Sequence, residues 1–352
     1  MSHSTHLVAA RELISPLAEG ALAAERNGCL PLDTVRRLQA AGLPQMLQPP
    51  PFGGAPSSVG DYVDVCATLA HGCVSTAWCN FVWGIHSFLI GLFPASTQTW
   101  LWEETPSMLV SASLGPVGRA RVEPQGLRVA GCWGFASGCD HAGALLLGVM
   151  SPDGPWLCVM PKADYEIVDN WQVAGLKGTG SKDIVIHDGF VPHGRALPFT
   201  QCIDPNRGLL TLVIAGPVLG AGEAAVQEYR ELIGVTPDQA SKQRLAYADA
   251  QVRAARLLLV NGCAEIDAAL AAKTTLAPGV QLRISRDTAF AADLVSQAVN
   301  RVFAAASGRT LHESATLQRL WRDVAAGCSH ARLRWDAPAE AYAQHLIEQE
   351  RS

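Results

Sequence analysis

GLRVAGCWGFASGCDHAGALLLGVMSPDGPWLCVMP, residues 126–161, decides the fold. Short apolar, strand-forming runs alternate in it with turn signals. Pro124-Gln125-Gly126 opens the stretch and Pro152-Asp153-Gly154 divides its second half, and each reads as a hairpin turn. Upstream, MLVSASL (108–114) is strand-like. Downstream, YEIVDNWQVAGL (165–176) and KDIVIHDGFVP (182–192) continue the pattern. Strands at this spacing predict a compact β-sheet domain or barrel over 107–207.

Both flanks read as helices. VRRLQAAGL (35–43) is a short helix ending at Gly42, and Ser57 or Ser58 caps the next one. A long apolar helix follows through STAWCNFVWGIHSFLIGLF (75–93). Beyond 208 the helical period returns. In KQRLAYADAQVRAARLLLV (242–260), Leu245, Ala248, Val252, Ala255 and Leu259 form one stripe. Short loops predict antiparallel neighbours in a bundle. The expected division is therefore 1–106 helical, 107–207 β, and 208–352 a helical bundle. This order excludes the alternating βαβ pattern of dinucleotide folds.

The chain has 352 residues, 49% hydrophobic and 17% charged, with a formal net charge of -5. No basic stripe invites nucleic acid. Ten cysteines include no C-x-x-C pair, and most sit in apolar stretches, where free Cys behaves as a small buried hydrophobe. The first residues show no basic region followed by an apolar core, so a reducing, cytoplasmic setting is expected. Ala67 to Trp102 lacks Lys, Arg, Asp and Glu. Its polar residues and acidic flanks favour a buried core helix over a membrane span.

Several motifs fail. The glycines of TLVIAGPVLGAGEAA (211–225) do not match G-x-G-x-x-G. The stretch from Gly175 to Lys182 resembles a P-loop but has Ser181 before Lys182, which misplaces both groups for phosphate and Mg²⁺. Cys139, Asp140 and His141 are adjacent and so point different ways, which argues against a metal site.

Four segments then carry a resemblance. GCWGFASGCDHAGALLLG (131–148) resembles the flavin-facing strand of the acyl-CoA dehydrogenase superfamily. WQVAGLKGTGSKDIVIHDGFVP (171–192) is similar to its second β-signature. GCVSTAWCNFVWGIHSFLIGLFP (72–94) and SGRTLHESATLQRLWRDVAAGCSH (307–330) resemble segments of its reduced-flavin-dependent monooxygenase branch, such as 4-hydroxyphenylacetate hydroxylase oxygenase components. The four lie in order across most of the chain. The resemblance implies an α+β, acyl-CoA dehydrogenase-like fold: N-terminal helical domain, central β-domain and C-terminal four-helix bundle, usually in a homotetramer.

The resemblance also implies roles. Ser137 lies near flavin N5, where a short hydroxyl steadies a reduced adduct. His330, following Arg322-Asp323 on one helix, bonds the C4a-hydroperoxyflavin. His86 contacts a phenolic substrate, whose ionisation a nearby base assists, and Trp78 walls the same pocket. Ser111 or Ser113 faces the flavin, and Trp133, Phe135 and Ala136 line it. Arg244 and Arg286 are candidate phosphate contacts. The bland alternatives are a turn serine, a capping histidine, satisfied core residues and solvated arginines.

The reading is the oxygenase component of a two-component monooxygenase. It uses reduced FMN or FAD from a separate NAD(P)H:flavin reductase, together with O2, to hydroxylate a small aromatic substrate. The rivals are an acyl-CoA dehydrogenase or oxidase, an N- or S-oxidising monooxygenase, and a non-catalytic binding protein. Two departures stand out: a compressed join near ELIGVTPDQASK (231–242), which leaves FMN versus FAD open, and His312 where an aromatic residue is expected.

Overall fold

The computed structural model describes residues 5–54 and 57–349. Among the described residues five α-helices come first: α1 (Thr5–Asn27), α2 (Leu32–Ala40), α3 (Val59–Ala70), α4 (Val74–Ile90) and α5 (Ala95–Trp102). Ser58 caps α3: its hydroxyl accepts from the Asp61 amide while the Asp61 carboxylate accepts from the Ser58 amide. Helix α4 is buried along nearly its whole length, and this accounts for its lack of charge. Among the described residues one helical stretch, Phe199–Ile233, is long and apolar enough to cross a membrane; 89% of its most apolar window is buried inside the protein.

Among the described residues seven strands follow: β1 (Val110–Glu123), β2 (Gly126–Ala136), β3 (Ala144–Ser151), β4 (Gly154–Pro161), β5 (Glu166–Val168), β6 (Lys182–Pro192) and β7 (Ala196–Pro198). They form one sheet in the order β5-β6-β2-β1-β3-β4-β7. Only β1 and β3 run parallel. Both hairpins form where the turn residues stand: Glu123 pairs Gly126 across Pro124-Gln125, and Ser151 pairs Gly154 across Pro152-Asp153.

Strands β3 and β4 are buried on both faces. Leu145, Leu147, Val149, Cys158 and Met160 pack into a small core inside the β-region. Ala144, Leu146, Leu157 and Val159 face the opposite way, into the main core shared with the helices. Burial on two sides is why these strands read as continuous apolar runs rather than alternating ones.

The C-terminal part contains α6 (Phe199–Cys202), α7 (Arg207–Leu212), α8 (Ala215–Ile233), α9 (Gln239–Ala271), α10 (Pro278–Ala305), α11 (Thr316–Cys328) and α12 (Asp336–Gln349). The glycine cluster excluded as a nucleotide loop lies within α8. A Cβ on Gly220 would stand 2.0 Å from the Ala67 carbonyl oxygen, and one on Gly222 would stand 2.6 Å from Val295. These glycines let α8 pack closely on α3 and α10. One hydrophobic core runs through the N-terminal helices and the bundle alike.

Candidate active site

The site forms where the end of β2 meets α4, the loop before β6 and the end of α11. Strand β2 stops at Ala136, and Ser137 follows in a tight turn, its amide donating to the Phe135 carbonyl at 3.0 Å. Gly138 takes φ +69°, and a Cβ there would lie 2.6 Å from the Trp83 indole nitrogen. Only glycine fits this turn without strain. Trp83 Nε1 donates to the Gly138 carbonyl at 3.4 Å, and the Gly138 amide donates to the Thr179 carbonyl at 2.8 Å.

The Ser137 hydroxyl is thereby fixed against α4. Trp78 Nε1 donates to Ser137 Oγ at 3.2 Å. The other side of Ser137 Oγ meets Ser181 Oγ at 2.7 Å, and Ser181 meets Thr179 Oγ1 at 2.7 Å. Ser111 Oγ donates to the Ser137 carbonyl at 2.7 Å and Ser113 Oγ to the Gly134 carbonyl at 2.8 Å. Both serines secure the end of β2. Ser111 is fully buried and Ser113 half-buried, so Ser113 is the one with surface to offer a ligand.

The loop before β6 is held from behind. Leu176 has φ +53°, and its amide donates to the buried Asp323 carboxylate at 2.6 Å. Burial pushes the Asp323 carboxyl up to about 6. Arg322 bonds the Ala174 carbonyl at 2.7 Å and pairs with Glu25, so α11, the loop and α1 are joined.

Helix α11 ends at Cys328, so His330 lies in the turn beyond it and not on the helix with Arg322 and Asp323, as the sequence had suggested. Its ring centroid is 6.1 Å from that of Trp78. Its Nδ1 accepts the Arg332 amide hydrogen at 3.2 Å. An amide can only donate there, so the neutral ring carries its hydrogen on Nε2. Burial, and secondarily the Arg332 charge, lower the His330 pKa to about 4.

His86 is the opposite case. Its Nδ1 faces the Val110 carbonyl at 3.1 Å, which can only accept, so Nδ1 carries the hydrogen and Nε2 is a lone pair. Burial lowers its pKa to about 4, so it too is neutral at pH 7. The structure thus presents a donor histidine and an acceptor histidine.

The structure separates the three residues expected to line a flavin. Trp133 and Ala136 are enclosed in the β-region core, with 0% exposure, and Trp133 Nε1 is spent on the Gly148 carbonyl at 2.7 Å. They have no surface to give a ligand. Phe135 differs: at φ +63° its ring turns outward, is 75% exposed, and stands edge-on to Trp171 at 5.8 Å. Arg244 and Arg286 are not brought to Ser137. Arg244 is exposed on α9, and Arg286 bonds Asp287 and lies over the Tyr342 ring at 4.2 Å, on the α10–α12 side. Sequence reasoning missed Thr179, Ser181 and Trp171. The first two lay inside the failed P-loop pattern, whose hydroxyls were read only against phosphate chemistry. Among the described residues no cluster of His, Cys, Asp and Glu is set to hold a metal; Cys139, Asp140 and His141 turn to Gly180, Lys182 and Leu30 respectively.

Residues 212–335 match the family model for the acyl-CoA dehydrogenase C-terminal domain. The chain is 30% identical to the flavin-dependent monooxygenase oxygenase subunit HsaA of Mycobacterium tuberculosis, over 92% of this chain and 91% of that one. It is 28% identical to the p-hydroxyphenylacetate 3-hydroxylase oxygenase component of Acinetobacter baumannii, over 96% and 87% of the two chains. The crystal structure of the M. tuberculosis HsaA monooxygenase superposes with a TM-score of 0.91 at 29% identity, covering 98% of this chain and 97% of that one. The fold is that of the acyl-CoA dehydrogenases, and the chain belongs to the family of flavin-dependent monooxygenase oxygenase components.

Proposed function

We propose that this protein hydroxylates a small phenolic substrate, using reduced flavin delivered by a separate reductase. The observation that carries the reading is the convergence of Trp78, Ser137 and His330 from three distant parts of the chain. The residues present suit a flavin. Phe135 offers an exposed ring, and Ser137 Oγ has a lone pair beyond those its neighbours use. His330 has an Nε2–H with no partner among the described residues. Bound reduced flavin supplies the electrons that activate O2 for transfer of one oxygen atom.

The chain's own residues bind, orient and exclude water. Ser137, Ser113 and Phe135 hold the ring system, and His330 Nε2–H donates toward its reacting edge. Trp78 walls the substrate side. His86 Nε2 accepts the substrate hydroxyl hydrogen. A ring whose pKa is near 4 orients that hydroxyl rather than carrying its proton away. Arg244 and Arg286 remain the candidates for the flavin phosphates. The division 1–106, 107–207 and 208–352 is our reading of the domains, with the first and last sharing a core. Exposed Leu257 and Val260 on α9 and Val235 in the turn before it suit burial in a homotetramer. We place the enzyme in the cytoplasm, where its ten free cysteines stay reduced.

The test supplies reduced FMN or reduced FAD anaerobically, then admits ¹⁸O2 with a panel of phenols. Hydroxylated product carrying one labelled atom is the expected result and identifies the flavin. Oxidised FAD that stays bound and is bleached by an acyl-CoA overturns the reading.

A further inference from the structure

The hydroxyls behind Ser137 form a chain with a fixed direction. At one end Trp78 Nε1 meets Ser137 Oγ at 3.2 Å, and an indole N–H can only donate. At the other end Thr179 Oγ1 meets the Leu176 carbonyl at 2.8 Å, and a carbonyl can only accept. Between these ends, Ser137, Ser181 and Thr179 are joined by two contacts of 2.7 Å each. The chain therefore has four links, and the indole and three hydroxyls supply four hydrogens. Every hydrogen is used once. Thr179 gives its own to Leu176, so Ser181 must donate to Thr179, and Ser137 must donate to Ser181. The terminal carbonyl is anchored besides by the Thr179 amide at 3.1 Å and Trp171 Nε1 at 3.3 Å.

Ser137 therefore spends its hydrogen inside the protein. What it has left for a ligand is a lone pair. Its backbone cannot swivel to change this, because Ser111 holds its carbonyl and the Thr179 carbonyl holds the next amide. Ser181 and Thr179 are themselves buried, at 4% and 1% exposure, and act only through Ser137.

We propose that Thr179 and Ser181 are positioning residues that hold Ser137 as a hydrogen-bond acceptor, and so make the site prefer reduced over oxidised flavin. The proposal rests on the flavin reading above, with Ser137 at N5. Reduced flavin carries a hydrogen on N5 and can donate to Ser137 Oγ. Oxidised flavin carries a lone pair there, and two lone pairs face each other unless Ser137 reverses. Reversal leaves Ser181 without its donor and breaks the chain. The preference is thus set two residues away from the ligand, by hydroxyls that never touch it.

The experiment measures the dissociation constants of FMN and FAD, each oxidised and anaerobically reduced, for four proteins: the unsubstituted chain, Thr179→Val, Thr179→Ser and Ser181→Ala. Valine keeps the shape of threonine without its hydroxyl. Ser181 is then free to donate to Ser137, whose hydrogen turns outward. Ser181→Ala frees that hydrogen directly. Both variants should lose about fivefold to tenfold of the preference for reduced flavin, the worth of one hydrogen bond. Thr179→Ser restores the hydroxyl and should keep the unsubstituted ratio. Unchanged ratios in both Thr179→Val and Ser181→Ala overturn the proposal, as does an equal loss in Thr179→Ser, which would trace the effect to the lost methyl. If the unsubstituted protein binds neither form, the flavin reading fails and takes the proposal with it.

Discussion

Trp78 and Ser137, 59 residues apart in sequence, are joined by a single hydrogen bond of 3.2 Å between indole and hydroxyl. That bond fastens the apolar helix α4 to the turn that ends β2. The same indole places its ring beside His330, so one side chain sets the spacing of two candidate functional groups.

Trp78→Phe tests this relationship. The phenyl ring keeps an apolar wall near His330 but has no N–H for Ser137. Losing that one bond should lower unfolding stability by about 1 kcal/mol, and reduced-flavin affinity should fall severalfold because the turn is no longer tied to α4. Urea unfolding with a parallel flavin titration reads both. An unchanged affinity would show that Ser137 is positioned without the bond from Trp78.

Phe135→Gly should separate stability from binding. Phe135 sits at φ +63°, a conformation that costs a non-glycine residue about 1 kcal/mol or more. Its ring is 75% exposed, so little burial is lost on removal. Thermal unfolding should move upward or hold steady while flavin affinity drops. A strained, exposed aromatic is expected where binding and not packing selects the residue. A falling melting temperature with intact binding would reverse that assignment.

The hairpins were legible because Pro124-Gln125-Gly126 and Pro152-Asp153-Gly154 carry the turn chemistry themselves. The region order was legible because the periodicity changes. The inward and outward positions at the end of β2 were not. Trp133 and Phe135 have the same parity and on a regular strand would share a face. The register shift between Trp133 and Ala136 and the positive φ of Phe135 break that alternation, and no glycine at 135 signals it. The end of α11 at Cys328 was not legible either, because Leu333 and Trp335 continue an apolar pattern beyond it. The hydroxyl chain was invisible for another reason. Thr179 and Ser181 matter through Trp78 and Leu176, and such pairings exist only in the folded chain.

Gly220→Ala tests whether the α8 glycines serve packing. The new Cβ would fall 2.0 Å from the backbone oxygen of Ala67, and a carbonyl in a packed helix cannot step aside cheaply. Helices α3 and α8 would have to separate, at a cost of about 3 kcal/mol. Unfolding by urea should show the full loss, with flavin affinity little changed in the fraction that remains folded. A near-neutral effect would mean that α8 can shift along α3.

Acid should weaken the fold in a defined window. His86 and His330 have folded pKa values of about 4, below the ordinary 6.5, because burial penalises the charged ring. Between pH 6.5 and 4 the unfolded chain binds more protons at these two positions. Their contribution to stability is therefore full above 6.5 and lost as pH falls toward 4. Asp323 acts in the opposite sense. Its folded value of about 6 exceeds its ordinary 3.8, so between these limits the folded chain binds the extra proton and gains stability as pH falls. Two histidines outweigh one carboxyl, and the net loss from pH 7.5 to 5.5 should be about 2 kcal/mol from these groups. Urea midpoints across that range measure it. His86→Gln should remove about half of the histidine share, and Asp323→Asn should steepen the acid loss. A pH profile that Asp323→Asn leaves unchanged would mean that this carboxyl is already charged in the folded protein at pH 5.5.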